Sequence, residues 1–366
     1  MNMLLNKLSG KGYRLLEHVP RKLGISSVEV LMDREVERQI KVGKKTILYI
    51  SDRYDYGNKN WGLSYFYYNW YHTLLNMDYS LVCFDFDRIM QRYGAKKLSQ
   101  MLRETVYCYQ PDILFYIHSN DHINHDVLRE ISDELPTKTI YFQTDDHHQY
   151  EKTRPIWELF NFVVTTDRKG YDRRKAEGFN NVLLSQYACN HFLYKNLNLP
   201  RIYGASFMGR CYGDRYDFID TLRRNGVDIA TFGLWWGRGG NSSRVSQADL
   251  IRIYNQTKIS LDLSLASKGS GIFAVKGRDF EVTGCGSLLL TQDFEEIAEY
   301  FIPGEEIITY QDANDAYEKI KYYLANEDER EKIAKKGYER VLREHTWEKR
   351  FSYIFSHALG SYEEEK

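Results

Sequence analysis

The run KGRDFEVTGCGSLLLT, residues 276–291, gathers the residue types that a phosphate-bearing ligand needs. Lys276 and Arg278 stand just before or at the start of a predicted helix, where exposed backbone N–H groups and the positive dipole end also favour an anion. Glu281 follows about one turn in. A carboxylate there can accept hydrogen bonds from a ribose diol, and Gly284 and Gly286 allow close backbone approach at the helix end. Together these residues describe a nucleotide seat. An ordinary amphipathic helix with solvated charges and a glycine cap has the same pattern, so the run alone leaves both readings open.

A second chemical cluster is Asp145, Asp146, His147 and His148, which ends a predicted strand and so reaches the edge of a cleft in a parallel sheet. A carboxylate or imidazole within hydrogen-bond reach could deprotonate an acceptor hydroxyl, and Asp145, Asp146 and His147 are the catalytic candidates. Capping of the following helix is the expectation for one of the aspartates. The segment HSNDHINH has metal-ligating residue types, but its spacing fits no metal motif; it reads as a polar strand-end loop with His118 available to acceptor hydroxyls. Asp85-Phe86-Asp87 imitates a metal-binding D-x-D pair, yet it ends a strand of a doubly wound domain, and no metal site is expected. After the first strand, Gly57 and Gly62 could let backbone approach a phosphate, with Trp61 stacking on a ligand ring or packing under the loop. Trp235 and Trp236 could stack on a base or close a lid. No Walker loop and no G-x-G-x-x-G motif is present, which removes the usual supports for ATP hydrolysis and NAD chemistry.

The elements that must carry these groups are legible as alternating apolar runs and helical periods. TILYIS, YSLVCFDFD, DILFYI, KTIYFQT, FVVTTD and VLLSQYA read as six strands, with helices such as Leu98–Val106 and Val127–Leu135 between them. Such spacing implies right-handed βαβ units around a parallel sheet. HFLYKNLNLPRIYG breaks the alternation. A second series follows, with strands ASFMG, DIATFG, ISLDLS, SLLLT and EIITY and helices at about 214–226, 247–256, 278–285, 314–326 and 328–343. Residues 1–43 form an N-terminal extension, in which Val28, Leu31, Met32, Val36 and Ile40 would share one helix face. That face could dock on the body, pair with a second subunit or touch a membrane.

With 366 residues the chain is long enough for two domains, and 43% hydrophobic against 28% charged residues is an ordinary globular balance. A net charge of -1 gives no general attraction to polyanions. Five scattered cysteines form no disulfide framework or zinc ribbon, and no apolar run is long enough to span a bilayer. The expected location is the cytoplasm, with attachment to the inner face of the membrane left open.

The 276–291 run, followed by FIPGEEIITY and then by REHTWEKR, resembles the C-terminal block of the CgeB-like group 1 glycosyltransferases. The likeness extends over about residues 110–352, through ASFMGRCYGDRYDFIDTLRRNG and YFQTDDHHQYEKTRPIWELF. It implies a GT-B fold, an α/β architecture of two Rossmann-like, doubly wound parallel-sheet domains facing a central cleft. The corresponding boundaries are 44–197 for the acceptor-side domain, 198–345 for the nucleotide-sugar domain, and 346–366 for a helix crossing back to the first domain and an acidic tail.

The resemblance further implies a nucleotide-diphosphate sugar donor, a UDP-sugar by expectation, and transfer to a hydroxyl acceptor on a bacterial surface or spore glycan without a required cofactor or metal. Glu281 would hold the ribose, Lys276, Arg278 and Arg215 would face the diphosphate, and Gly209 would open the loop beneath it. One departure stands out: many retaining members carry a glutamate eight residues before the ribose-binding one, and that position is Phe273. Two rival functions follow. A same-fold enzyme acting on a modified nucleic-acid base would use the basic run Arg168, Lys169, Arg173, Arg174 and Lys175, and a binding protein could keep the fold without catalysis.

Overall fold

A computed structural model describes residues 36–117, 122–144, 146–237, 243–265 and 272–361. Twelve strands among them form two sheets. The first contains β1 (Val36–Gln39), β2 (Thr46–Ser51), β3 (Ser80–Asp85), β4 (Ile113–Tyr116), β5 (Lys138–Gln143), β6 (Phe162–Thr165) and β7 (Val182–Leu184), in the order β1-β3-β2-β4-β5-β6-β7. All neighbours are parallel except β1, which pairs antiparallel with β3 at the edge. The second contains β8 (Tyr203–Met208), β9 (Ile229–Phe232), β10 (Thr257–Leu261), β11 (Leu288–Gln292) and β12 (Ile308–Tyr310), all parallel, in the order β12-β11-β10-β8-β9.

Each strand forms where a short apolar run is flanked by amphipathic periods, because a parallel strand buries both faces under helices. Ile47, Leu48, Tyr49 and Ile50 of β2 are all buried, and alternate residues join the two core clusters on opposite faces of the first sheet. The second sheet is likewise covered on both faces.

Residues 36–40 depart from the expected helix. Val36–Gln39 is a strand whose Val36 packs into the first core, while Ile40 is exposed. A four-residue alternation fits either period, and pairing along β3 decides it. Val28, Leu31 and Met32 lie outside the described residues.

The helix Trp347–Ala358 follows the whole second sheet in sequence yet packs on the first. Trp347 lies 5.0 Å from Trp70, and Phe355 lies 5.4 Å from Phe115, centroid to centroid. Thr346 caps that helix through Lys349 N. Burying such an aromatic side chain contributes roughly 1.5–3 kcal/mol, so this helix is a substantial part of the first core. The two strands of chain that cross between lobes are tied together, Cys189 N donating to His345 O (2.9 Å) and Trp347 N to Cys189 O (3.0 Å). Among the described residues no helix is long and apolar enough to cross a membrane.

Candidate functional site

The carboxyl ends of both sheets face a cleft that holds two chambers. The larger, about 980 Å³, is lined by Asp52, Tyr65, Gln143 and His148 from the first lobe and by Gly209, Arg210, Lys276, Arg278 and Glu281 from the second. The cleft is where open α/β sheets bind ligands, because the strand order reverses there and loops diverge.

The helix Gly277–Gly284 positions three of these groups. Lys276 is its N-cap, and Asp279 three residues on accepts from Lys276 N (2.8 Å), so the helix begins where the sequence places it. Its glycine start has a reason beyond capping: a Cβ on Gly277 would lie 2.5 Å from the Tyr65 hydroxyl of the opposite lobe. Arg278 points toward the carboxyl end of β10, where its Nη1 donates to Asp262 Oδ1 at 2.5 Å. Burial works against the Arg278 charge, but Asp262, Tyr254, Asp279 and Glu281 together outweigh it and the guanidinium stays more firmly protonated than usual.

Glu281 is buried at the base of the chamber, and burial pushes its carboxyl up to about 7, against hydrogen bonds from Tyr194 and Asn69 and the charge of Arg278. Asn69 belongs to a π-helical turn, Tyr67–Tyr71, in the first lobe, and its Nδ2 lies 3.5 Å from Glu281 Oε1. A carboxyl poised at that value can give up its proton when donors arrive.

Gly209 opens the loop after β8 directly against β9's exit. Its N–H donates to Phe232 O (2.8 Å), its carbonyl accepts from Trp236 Nε1 (2.8 Å), and a side chain on Gly233 would strike its backbone. Trp236 is thereby a buried support, whereas Trp235 is exposed at φ 71° with the Arg210 guanidinium 5.8 Å from its ring.

Several sequence-derived assignments meet a different geometry. Arg215 does not face the chamber: it is buried, donates to Arg210 O (3.0 Å) and Leu263 O (3.2 Å), and stacks 3.9 Å over Tyr212, so it holds the loop instead of a ligand. Gly62 is exposed with φ 84° and lies outside the chamber wall; it ends a short turn. Trp61 beside it sits on the rim, where Arg244 of the second lobe lies 5.0 Å over its ring, donates to its carbonyl (2.8 Å) and pairs with Asp55 (2.6 Å).

Asp146 is not available as a base. It is buried in a two-point ion pair with Arg174, Oδ2 at 2.5 Å from Nη1 and Oδ1 at 2.9 Å from Nη2, and it also accepts from the Thr165 hydroxyl. Arg174 in turn lies 4.7 Å from both the Tyr150 and Trp157 rings. His147 lines the second chamber, His148 the first, and their rings are 4.4 Å apart. Asp145 and His118 lie outside the described residues. Among the described residues no group of three or more His, Cys, Asp or Glu side chains could hold a metal ion.

The smaller chamber, about 600 Å³, shares Thr144, Tyr187 and Lys276 with the larger. Phe273 stands in its wall, 6.1 Å from Phe294. Glu296, also in that wall, is pushed up to about 7 by burial, against a hydrogen bond from Gln186 Nε2 at 2.9 Å. Most of the basic run at 168–175 is engaged: Arg168 pairs with Glu299, Arg173 with Glu151 and Glu177, Arg174 with Asp146, and Lys175 donates to Asn180 O, while Lys169 is exposed.

Sequence reasoning missed Asp262, Asn69 and Arg244. Asp262 follows β10 in LDLS, and only the sheet order brings it beside Arg278; Asn69 is hidden in the aromatic run YFYYNW.

Comparison with known proteins bears on the same region. A family model described as glycosyl transferase-like matches residues 215–356. No curated protein sequence matches the chain. Solved structures with similar architecture include sucrose-phosphate synthase from Thermosynechococcus elongatus (TM-score 0.64, 12% identity), covering 87% of this chain and 100% of that one. A glycosyltransferase from Rickettsia africae has a TM-score of 0.59 at 11% identity, and Anabaena HepE, solved in complex with UDP-glucose, 0.57 at 12%; each covers 87% of this chain and 100% of the other. At that identity the likeness is one of fold, and the fold is GT-B.

Proposed function

We propose that this chain is a glycosyltransferase that moves a sugar from a nucleotide-diphosphate sugar to a hydroxyl acceptor. The observation that carries the reading is the convergence of Lys276, Arg278 and Glu281 with the Gly209 loop in one chamber, inside the segment matched by the glycosyl transferase-like family. Glu281 accepts from the ribose diol. The diphosphate lies between the Gly209 loop and the start of the Gly277 helix, where Lys276, Arg278 and exposed N–H groups meet its charge. UDP is the favoured nucleotide, since HepE shares the fold and was solved with UDP-glucose.

In the transfer the acceptor oxygen bonds to the anomeric carbon as the bond to the diphosphate oxygen breaks. The electron pair leaves on the diphosphate, where the cations and helix dipole stabilise it without a divalent metal. The acceptor proton passes to a base on the first lobe; with Asp146 held by Arg174, His147 is the described member of its cluster that faces the acceptor side. The C-terminal pattern H-T-W, in which His345 is buried, Thr346 caps and Trp347 fills the first core, fits the CgeB-like subgroup and its surface or spore glycan acceptors. The nucleic-acid alternative loses its motive, because three arginines of the basic run are already ion-paired.

Thermal unfolding with UDP, GDP, TDP, CDP and their sugars, with and without EDTA, tests this reading. One nucleotide is expected to raise Tm in EDTA, and Glu281→Ala to abolish the shift. Absence of any shift across the panel would overturn it.

A further inference from the structure

We infer that the smaller chamber is a binding site for an uncharged pyranose, stacked on Phe273 and Phe294 with its hydroxyls on Glu296. The inference deepens the glycosyl-transfer reading and rests on it for the role of that sugar as acceptor.

Phe273 occupies the position where resemblance led us to expect a carboxylate, yet it is 38% exposed and lies at the chamber wall. Its ring and that of Phe294 are 6.1 Å apart with an interplanar angle of 31°, and both line the chamber, so its wall carries two neighbouring aromatic rings. Exposed aromatic surface inside a concave site calls for a ligand with a flat apolar face. A pyranose has one in its axial C–H groups, and its rim carries hydroxyls that need fixed polar partners.

Glu296 supplies such a partner. Gln186 spends its amide on holding it: Nε2 donates to Glu296 Oε1 (2.9 Å) and to Thr166 O (3.0 Å), while Oε1 accepts from Tyr187 N (2.8 Å). The carboxyl is therefore oriented by a neutral group, and the nearby Arg168 is paired with Glu299 instead. Of the cations in its wall, Arg168 is paired with Glu299 and Arg173 with Glu151 and Glu177, and an anionic ligand would meet the carboxylates of Asp167, Glu295, Glu296 and Glu299 as well as Lys169 and Lys276. A neutral ring fits this balance. The chamber volume of about 600 Å³ lies within the range of small-molecule sites. Because Lys276 lines both chambers, a hydroxyl of a ring held here stands next to the diphosphate side of the donor chamber.

The test is saturation-transfer NMR on the full chain loaded with UDP. The probes are methyl α-glucoside, methyl α-galactoside and methyl N-acetyl-α-glucosaminide, with glucose 1-phosphate as the anionic comparator. At least one neutral glycoside is expected to bind, with saturation strongest on the C–H protons of one ring face. Phe273→Ala and Phe294→Ala should each weaken it at least tenfold, Phe273→Tyr should retain it, and UDP affinity should stay within twofold in all three, which also shows that they fold. Binding of none of the neutral glycosides, binding that survives both alanine variants, or preference for glucose 1-phosphate would overturn the assignment. Glycoside binding that depends on Phe273 in a protein that takes no UDP would uphold the chamber and sink the donor reading.

Discussion

The side-chain amide of Asn69 lies 3.5 Å from Glu281 Oε1, a contact between residues 212 positions apart that joins the two lobes at the floor of the cleft. It is one of a set of cross-lobe ties, with Arg244 to Asp55, Arg168 to Glu299 and Gln186 to Glu296. The lobes are thus joined across the cleft by contacts that either touch the proposed ligands or lie beside them.

Donor affinity should depend on pH through Glu281. Its carboxyl, pushed up to about 7 mainly by burial, must lose its proton to accept two ribose hydroxyls. The affinity for UDP-glucose is therefore constant above about pH 8 and falls about tenfold per unit well below 7. UDP-glucose has no terminal phosphate that titrates in this range. Calorimetry across pH 5.5–8.5 checks it, and Glu281→Gln should bind weakly with a flat profile. A wild-type profile as flat as the variant's would remove Glu281 from the ribose.

Asp146 should prove structural. Asp146→Ala leaves Arg174 buried without its carboxylate and should cost about 3–5 kcal/mol in urea unfolding, while Asp146→Ala with Arg174→Met recovers a large part. The folded double variant should bind UDP-glucose within twofold of wild type. A loss of donor affinity greater than tenfold in that variant would return Asp146 to the site.

Gly277→Ala is expected to weaken UDP-glucose binding about tenfold and to raise the radius of gyration measured by small-angle scattering, because the new Cβ would lie 2.5 Å from the Tyr65 hydroxyl and wedge the lobes apart. Alanine at a helix start is otherwise favourable, so the sign of the effect identifies the clash. Tyr65→Phe in the same chain removes the offending oxygen and should restore both quantities. No rescue by Tyr65→Phe together with full rescue by Tyr65→Ala would place the clash on the ring, whose Cζ and Cε2 would lie 3.2 and 3.3 Å from the new Cβ; no rescue by either would mean that Tyr65 is not what Gly277 accommodates.

His345 sets an acid limb on stability. Burial and the charge of Arg350 hold its imidazole down at about 4, although its Nε2 sits 2.7 Å from Tyr300 O. The unfolded chain takes up this proton near pH 6.5, so the contribution is complete above that value and is lost as pH falls toward 4. Between pH 7.5 and 5 it amounts to roughly 2 kcal/mol. Urea unfolding of His345→Gln should show a pH dependence smaller by that amount; identical curves would count against it.

The sheets were legible because parallel strands announce themselves as apolar runs between helical periods, and the eleven runs from TILYIS to EIITY all form strands. Helix boundaries came within a residue or two where Gly or a capping side chain marked them, as at Gly277 and Ser246. Partners distant in sequence were not legible. Nothing near Asp146 in the chain foretells Arg174, and nothing near Arg278 foretells Asp262, since each pair meets only through the order of strands. Val36–Gln39 was misread because four residues cannot distinguish a period of two from one of 3.6.

The helix Trp347–Ala358 also has a bearing on the ribosome. One face of the first sheet waits for Trp347, Phe351 and Phe355, whereas the second sheet lies wholly between residues 203 and 310. The half of the molecule synthesised first is therefore finished last. Until the final helix emerges, the nascent chain shows Trp70, Phe115 and Phe142 as an open aromatic surface that chaperones can hold.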